Sequence, residues 1–110
     1  VQAGELEELQ GKLQAAEALL SGELLGETCA ALHEAMLAAM ALRAGRDDVP
    51  EPAQQTLWVY GELSRRGVAS TEEVGALIQA QLMAQTEGEV PDELVRELLV
   101  TARGVVAAAA

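Results

Sequence analysis

The residues best suited to chemistry are one cysteine and one histidine, Cys29 and His33, and each is the only residue of its type. They lie four positions apart in an apolar segment, so a helix would place both on one face, where they could share a metal ion. Zinc takes about four ligands, or three and a water, so acidic side chains from elsewhere would have to complete the site. Packing of both residues in or beside the core is the alternative that their apolar neighbours favour.

No other group of residues has the pattern of a known catalytic centre. A phosphate-binding loop needs a glycine-rich turn between a strand and a helix, and no segment alternates apolar and polar residues as a strand would. A Ser-His-Asp triad would have to include His33, and no spacing singles out its partners. We therefore predict that the chain is not an enzyme and carries no cofactor.

Trp58 and Tyr60 are the only aromatic residues of the chain. Aromatic side chains are enriched at the energetic centres of protein interfaces, and both also have a polar group that needs a partner when buried. Both are therefore candidate interface residues. A Trp58 that fills the centre of the chain's own core is an equally good interpretation.

Charge restricts the possible partners. The chain has 18 acidic and 7 basic residues, a net charge of -11, and Lys12 is its single lysine. Nucleic-acid binding requires clustered cations that neutralise phosphates, so the acid excess disfavours nucleic acid as a partner. No run of about 18 apolar residues is present to cross a membrane. We expect a protein partner or a second copy of the chain.

Apolar periodicity predicts an all-α fold. Half of the residues are apolar. A length of 110 residues is suited to one domain, which we expect to span residues 1–110. Apolar residues recur three and four positions apart. Gly45 and Gly67 are placed to end the second and third helices, and Ser70 with Glu73 forms a capping box that starts the fourth at Thr71. We predict about five helices, arranged as an antiparallel helical bundle or as two stacked helical hairpins. The first four helices span 5–20, 23–44, 52–66 and 71–87, and a polar linker spans 46–52. The last helix follows Pro91 and pauses at Gly104. The first residue, Val1, and four closing alanines lead us to expect a piece of a longer protein.

The apolar stripe of the first predicted helix consists of Leu6, Leu9, Leu13 and Leu20. Their spacing is typical of a helix packed against another helix. Two interpretations are open. The stripe can fold back on the second helix through Ser21 and Gly22, or it can bind a partner chain. We favour the second, which makes these four leucines candidate interface residues.

A helical repeat is suggested by a motif near the C-terminus. Gly88, Pro91, Asp92, Leu98 and Leu99 have the arrangement found at a boundary between pentatricopeptide repeats, which the stretch 77–99 resembles. The resemblance implies stacked helical hairpins, and in that family the hairpins bind single-stranded RNA. Because the acid excess disfavours RNA, we expect a helical scaffold or adaptor that contacts proteins within a larger complex. An organellar RNA-associated repeat protein and a small metal- or ligand-binding bundle are the alternatives.

Overall fold

The structure, a computed structural model, describes residues 3–46 and 48–110, so position 47 of the predicted linker lies outside the described residues. It is 76% helical, against roughly one-third in an average globular protein, and no strand occurs among the described residues. The all-α prediction is confirmed. The helices are α1 (Ala3–Ser21), α2 (Leu25–Arg43), α3 (Pro52–Leu57), α4 (Thr71–Gln85) and α5 (Asp92–Ala107), and α3 continues into a π-helical segment, Trp58–Leu63.

Helix α2 is the centre of a compact bundle. Helices α1, α4 and α5 each pack against it, and α1 and α4 also contact α5. The buried residues of α2 are mostly small or flexible side chains that cover most of its circumference: Thr28, Cys29, Leu32, Ala35, Met36, Leu37, Ala39, Met40 and Ala41. Alanine allows close approach of the surrounding helices, which compensates for the scarcity of large side chains. A helix with so wide an apolar face is expected at the centre of a bundle.

The turn between α1 and α2 contains a strained residue. The Glu23 amide donates to the Leu20 carbonyl and the Leu24 amide donates to the Leu19 carbonyl, the pattern that closes a helix through a left-handed residue. That residue is Glu23, with φ 59°, and not the neighbouring Gly22. The second helix consequently begins at Leu25 and not at Glu23 as predicted.

Replacing Glu23 by glycine is expected to stabilise the chain by about 0.5 to 1 kcal/mol. Relief of left-handed strain, about 1 to 2 kcal/mol, exceeds the added entropy of an unfolded glycine, about 0.4 to 1 kcal/mol. Gly22→Ala is the matched control, because a Cβ there meets only ordinary contacts at 3.6 and 3.7 Å. Urea unfolding measures both. Gly22→Ala should be neutral or slightly stabilising, and a destabilising Gly22→Ala together with a destabilising Glu23→Gly would contradict this geometry, because it would mean that Gly22 is the left-handed residue.

Two glycines end helices in the predicted manner. Gly45 (φ 77°) and Gly67 (φ 74°) are both left-handed. After Gly45 the Arg46 amide donates a hydrogen bond to the Ala41 carbonyl, and after Gly67 the Val68 amide donates one to the Leu63 carbonyl. Both helix ends are thus satisfied by the hydrogen bonds that a left-handed cap provides. The π-helical turn that precedes Gly67 was not predicted.

The start of α4 is the predicted capping box. The Glu73 amide donates to Ser70 Oγ at 3.1 Å, and the Ser70 amide donates to Glu73 Oε1 at 2.8 Å. These bonds satisfy two amides that the first helical turn leaves without partners. The helix begins at Thr71 as predicted and ends at Gln85, two residues before the predicted end.

Loss of the Ser70 hydroxyl should weaken the fold measurably. We expect Ser70→Ala to lower the free energy of unfolding by about 1 kcal/mol, and Thr71→Ala to cost much less because the Thr71 side chain makes no cap. Thermal and urea unfolding of the two variants give the comparison. Equal losses would show that the cap does not depend on Ser70.

Helix α5 does not pause at Gly104, and that prediction was wrong. It continues to Ala107, and Val105 and Val106 beyond the glycine are buried. Glycine within a helix costs about 1 kcal/mol, whereas burial of a valine contributes about 1.5 kcal/mol or more. The apolar residues therefore carry the helix past the glycine.

Arg43 joins three parts of the chain. Its guanidinium donates to both carboxylate oxygens of Glu73, at 2.6 and 3.2 Å, and to the Val68 carbonyl at 2.6 Å. Side chains of Arg43 and Glu73 are each 17% exposed. The end of α2, the loop before α4 and the first turn of α4 are thereby held together, and α4 runs antiparallel to α2.

Candidate binding cleft

An open cleft of about 750 Å³ runs along one face of α2. Its floor is a stripe of α2 residues spaced by three and four: Ala30, His33, Glu34, Leu37, Ala38, Ala41 and Leu42. One wall is the first half of α1, and the opposite wall is formed by the start of α3 and the end of α4. The linker lines the cleft at the C-terminal end of α2. The volume is within the roughly 300 to 1,000 Å³ typical of binding pockets.

The walls are open because α1 and α4 both pack against α2 and α5 but have little contact with each other among the described residues. The α3 wall is also lightly packed, since no residue of α3 is buried. A hydrogen bond from Gln55 Nε2 to the Pro50 carbonyl, 3.0 Å, ties α3 to the linker. The face of α2 between α1 and α4 is therefore left without a covering helix.

His33 lies where the cleft meets a second hollow of about 40 Å³. Both are lined by His33, Leu37, Pro52, Gln55 and Gln81, and the smaller one extends to Tyr60. Burial lowers the pKa of His33, because a partly desolvated imidazolium is disfavoured. The imidazole is therefore neutral at neutral pH. The boundary between the cleft and the smaller hollow therefore carries an uncharged polar group.

Acidic side chains dominate the edge of the cleft. Four carboxylates and two cations line it: Glu5, Glu8, Glu34, Asp48, Lys12 and Arg46. Lys12 pairs with Glu34 at 2.8 Å, and Arg46 pairs with Asp48 at 3.6 Å. Glu5 and Glu8 form no ion pair with another described residue. The edge on the α1 side thus has two carboxylates available to a ligand.

No family model matches the sequence, and no curated protein is significantly similar to it. The function therefore has to be argued from the geometry.

Cys29 and His33 have separate environments despite their shared helix. Cys29 is fully buried in the core, where burial raises the pKa of its thiol, whereas His33 lines the cleft. Among the described residues, no three His, Cys, Asp or Glu side chains are placed to hold a metal ion. The two residues are thus not brought together as a site.

The predicted interface leucines of α1 lie mostly within the chain. Leu9, Leu13 and Leu20 are buried in the core, and Leu6 is half-buried. The stripe folds back on α2, which is the interpretation that we did not favour. Leu9 also contributes to the cleft wall.

The two aromatic residues have different surroundings. Trp58 is buried in the core, its Nε1 has no hydrogen-bond acceptor among the described residues, and the Arg46 guanidinium lies 5.8 Å from its ring centroid. Tyr60 is 49% exposed at the end of the smaller hollow. Of the predicted interface residues, Tyr60 and Leu6 are therefore the ones most accessible to a partner, and their role stays a prediction.

Sequence reasoning missed the residues that form the second wall, Gln55, Gln81 and Ala84. Nothing in their spacing distinguishes them from an ordinary solvated helix surface. Of the α2 residues that form the floor, the sequence analysis singled out only His33, as a possible metal ligand or as a residue packed in or beside the core.

No helix of the described part is both long and apolar enough to cross a bilayer.

Proposed function

We propose that this chain is a non-enzymatic helical module that contacts other proteins, and that the contact is made by docking a partner segment in the cleft along α2. The observation that carries the proposal is the uncovered apolar face of α2 between α1 and α4, in a cleft of about 750 Å³. A groove between two helices is a recurrent binding site for a further helix. The predicted stripe of α1 is replaced in this role by the cleft.

The lining chemistry supports binding. Leu37, Ala38, Ala41 and Leu42 provide apolar contact on the floor. The one charged floor residue, Glu34, is paired with Lys12, and the other charged groups lie at the edge. Protein interfaces have this arrangement of an apolar centre and a polar rim. The same edge disfavours RNA, since carboxylates outnumber cations there and repel phosphate.

A small apolar ligand is the second candidate, and the volume of the cleft favours it. Such a ligand would bury most of its surface against the α2 floor and would find a neutral hydrogen-bonding group in His33. Fragment screening by protein NMR tests it. Shifts confined to the cleft with millimolar or tighter affinity would support this candidate over the docking of a protein segment.

A display library of random helical peptides tests the protein-docking proposal without assuming the partner's sequence. Peptides are selected on the wild-type chain and then measured on Ala84→Trp, which fills the cleft from the α4 wall. Ala15→Trp is the control, because Ala15 is exposed on α1 and does not line the cleft. We expect selected peptides to bind Ala84→Trp at least about tenfold more weakly, the effect of roughly 1.4 kcal/mol, and Ala15→Trp unchanged.

Two results would contradict the proposal. One is that selected peptides bind Ala84→Trp and the wild type equally well. The other is that no peptide is enriched over an unselected library. Circular dichroism of both variants establishes beforehand that the tryptophan has not disturbed the fold.

A further inference from the structure

The shape of the cleft matches one face of a short helix. The lining stripe of α2 extends from Ala30 to Leu42, about 18 Å at roughly 1.5 Å per residue. At about 3.6 residues per turn, a stripe of that length can contact about three turns of a docked helix. The stripe therefore sets the length of the segment.

The edge of the cleft specifies the charge of that segment. Glu5 and Glu8 lie on successive turns of the α1 wall, and both cations of the edge already have carboxylate partners. A docked helix with Lys or Arg beside its apolar face would place those cations against Glu5 and Glu8. A second copy of this chain is disfavoured as the occupant, because each copy carries a net charge of -11 and like charges facing each other cost several kcal/mol.

Resting on the function proposed above, we infer that the occupant of the cleft is an amphipathic helix of about three turns from a partner protein, with an apolar face toward α2 and basic residues toward Glu5 and Glu8. The long methylene stem of a lysine or arginine lets the charge reach the edge while the stem covers apolar surface. His33 faces the apolar side of this helix as a neutral group. The charges set partner choice and association rate, and the apolar face supplies the affinity.

Four synthetic peptides test the inference by titration calorimetry. The first has leucines at helical spacing flanked by lysines, and the next two replace lysine by glutamine or by glutamate. The fourth is a scramble of the lysine peptide that keeps its composition but has no apolar face. We expect the lysine peptide to bind at least about tenfold more tightly than the glutamine peptide, with a difference that shrinks as salt rises. The glutamate and scrambled peptides should show no measurable binding.

Charge variants locate the preference. Glu5→Gln with Glu8→Gln should reduce the preference for lysine over glutamine peptides by roughly three- to tenfold, as expected for two exposed ion pairs. Glu89→Gln with Glu97→Gln removes the same charge from exposed positions outside the cleft and should leave the preference unchanged. An equal effect of both pairs would overturn the inference, because it would mean that lysine is attracted by net charge alone.

The outcomes separate the two proposals. Equal affinity for the lysine and glutamine peptides, with both blocked by Ala84→Trp, would overturn the basic-helix inference and leave docking in the cleft intact. If Ala84→Trp does not weaken binding of the lysine peptide, the basic-helix inference is overturned. Docking in the cleft would then still be supported by library peptides that Ala84→Trp does weaken. If Ala84→Trp weakens neither the lysine peptide nor the library peptides, both proposals are overturned.

Discussion

Replacing Leu9 and Leu13 together by glutamate is expected to unfold the chain. Both leucines are buried between α1 and the rest of the bundle. Each substitution removes about 1.5 to 3 kcal/mol of apolar burial and places a carboxylate in a site where its desolvation costs several kcal/mol. Together these losses reach the roughly 5 to 15 kcal/mol that keeps a small domain folded. Far-ultraviolet circular dichroism at neutral pH should show the loss of helix.

The matched control uses two exposed leucines. Leu57 is 77% exposed and Leu82 is 61% exposed, so Leu57→Glu with Leu82→Glu adds the same charge without burying it. This variant should remain folded with little change in stability. If instead the Leu9 and Leu13 variant stays folded and loses an association that the wild type has, the α1 stripe is an interface and the observed packing of α1 is wrong.

Arg43→Met is expected to lower the free energy of unfolding by about 2 to 3 kcal/mol, because it leaves the Glu73 carboxylate and the Val68 carbonyl without their shared donor in a largely desolvated position. Arg66→Met is the control. Arg66 pairs with Glu62 one helical turn away at an exposed site, where such pairs contribute about 0.3 to 0.5 kcal/mol. Urea unfolding of the two variants at pH 7 measures the difference. Equal effects would show that the Arg43 contacts do not stabilise the bundle.

The Arg43 effect should also depend on pH. The hydrogen bonds from Arg43 hold the pKa of Glu73 below its ordinary value of 4.5, although burial acts in the opposite direction. Between that lowered pKa and 4.5 the unfolded chain binds more protons than the folded chain, so stability falls as the pH falls. The contribution is complete above about pH 4.5 and is lost as the pH drops through the lowered pKa. Wild type and Arg43→Met should therefore converge in stability toward low pH.

The parts of the fold that sequence could predict are those decided by neighbouring residues. The Ser70 capping box, the left-handed Gly45 and Gly67, and the apolar periodicity of α1 depend on a few adjacent positions, and the structure has them as predicted. The two failures have different causes. At Gly104 the burial of the following valines outweighs the local preference of glycine and continues the helix. At Glu23 the turn itself is local, but it places a charged residue where glycine is preferred.

The site was less predictable because it is made by the absence of a covering helix. The Arg43 contact with Glu73 spans 30 positions in the sequence, and no local signal indicates it, yet it sets where the α4 wall lies. Ala84 and Gln81 become cleft residues only through that placement. His33 was identified by its chemistry. A role as a metal ligand was considered because Cys29 lies four positions earlier, but the packing of α2 places Cys29 in the core and His33 in the cleft.

The π-helical segment has a consequence for how this surface can change. The Ser64 amide bonds to the Val59 carbonyl five positions earlier, so one residue more than an α-helix needs is held in the turn. Each residue of an α-helix advances the direction of the next side chain by about 100°. Removing a residue from a regular helix would therefore turn everything before it by about that angle. The wide turn already holds one surplus residue, so a one-residue deletion in Trp58–Leu63 should return it to α-helical spacing and leave Pro52 and Gln55 lining the cleft. This turn is thus the place where the wall of the cleft can lose a codon and keep the direction of its side chains.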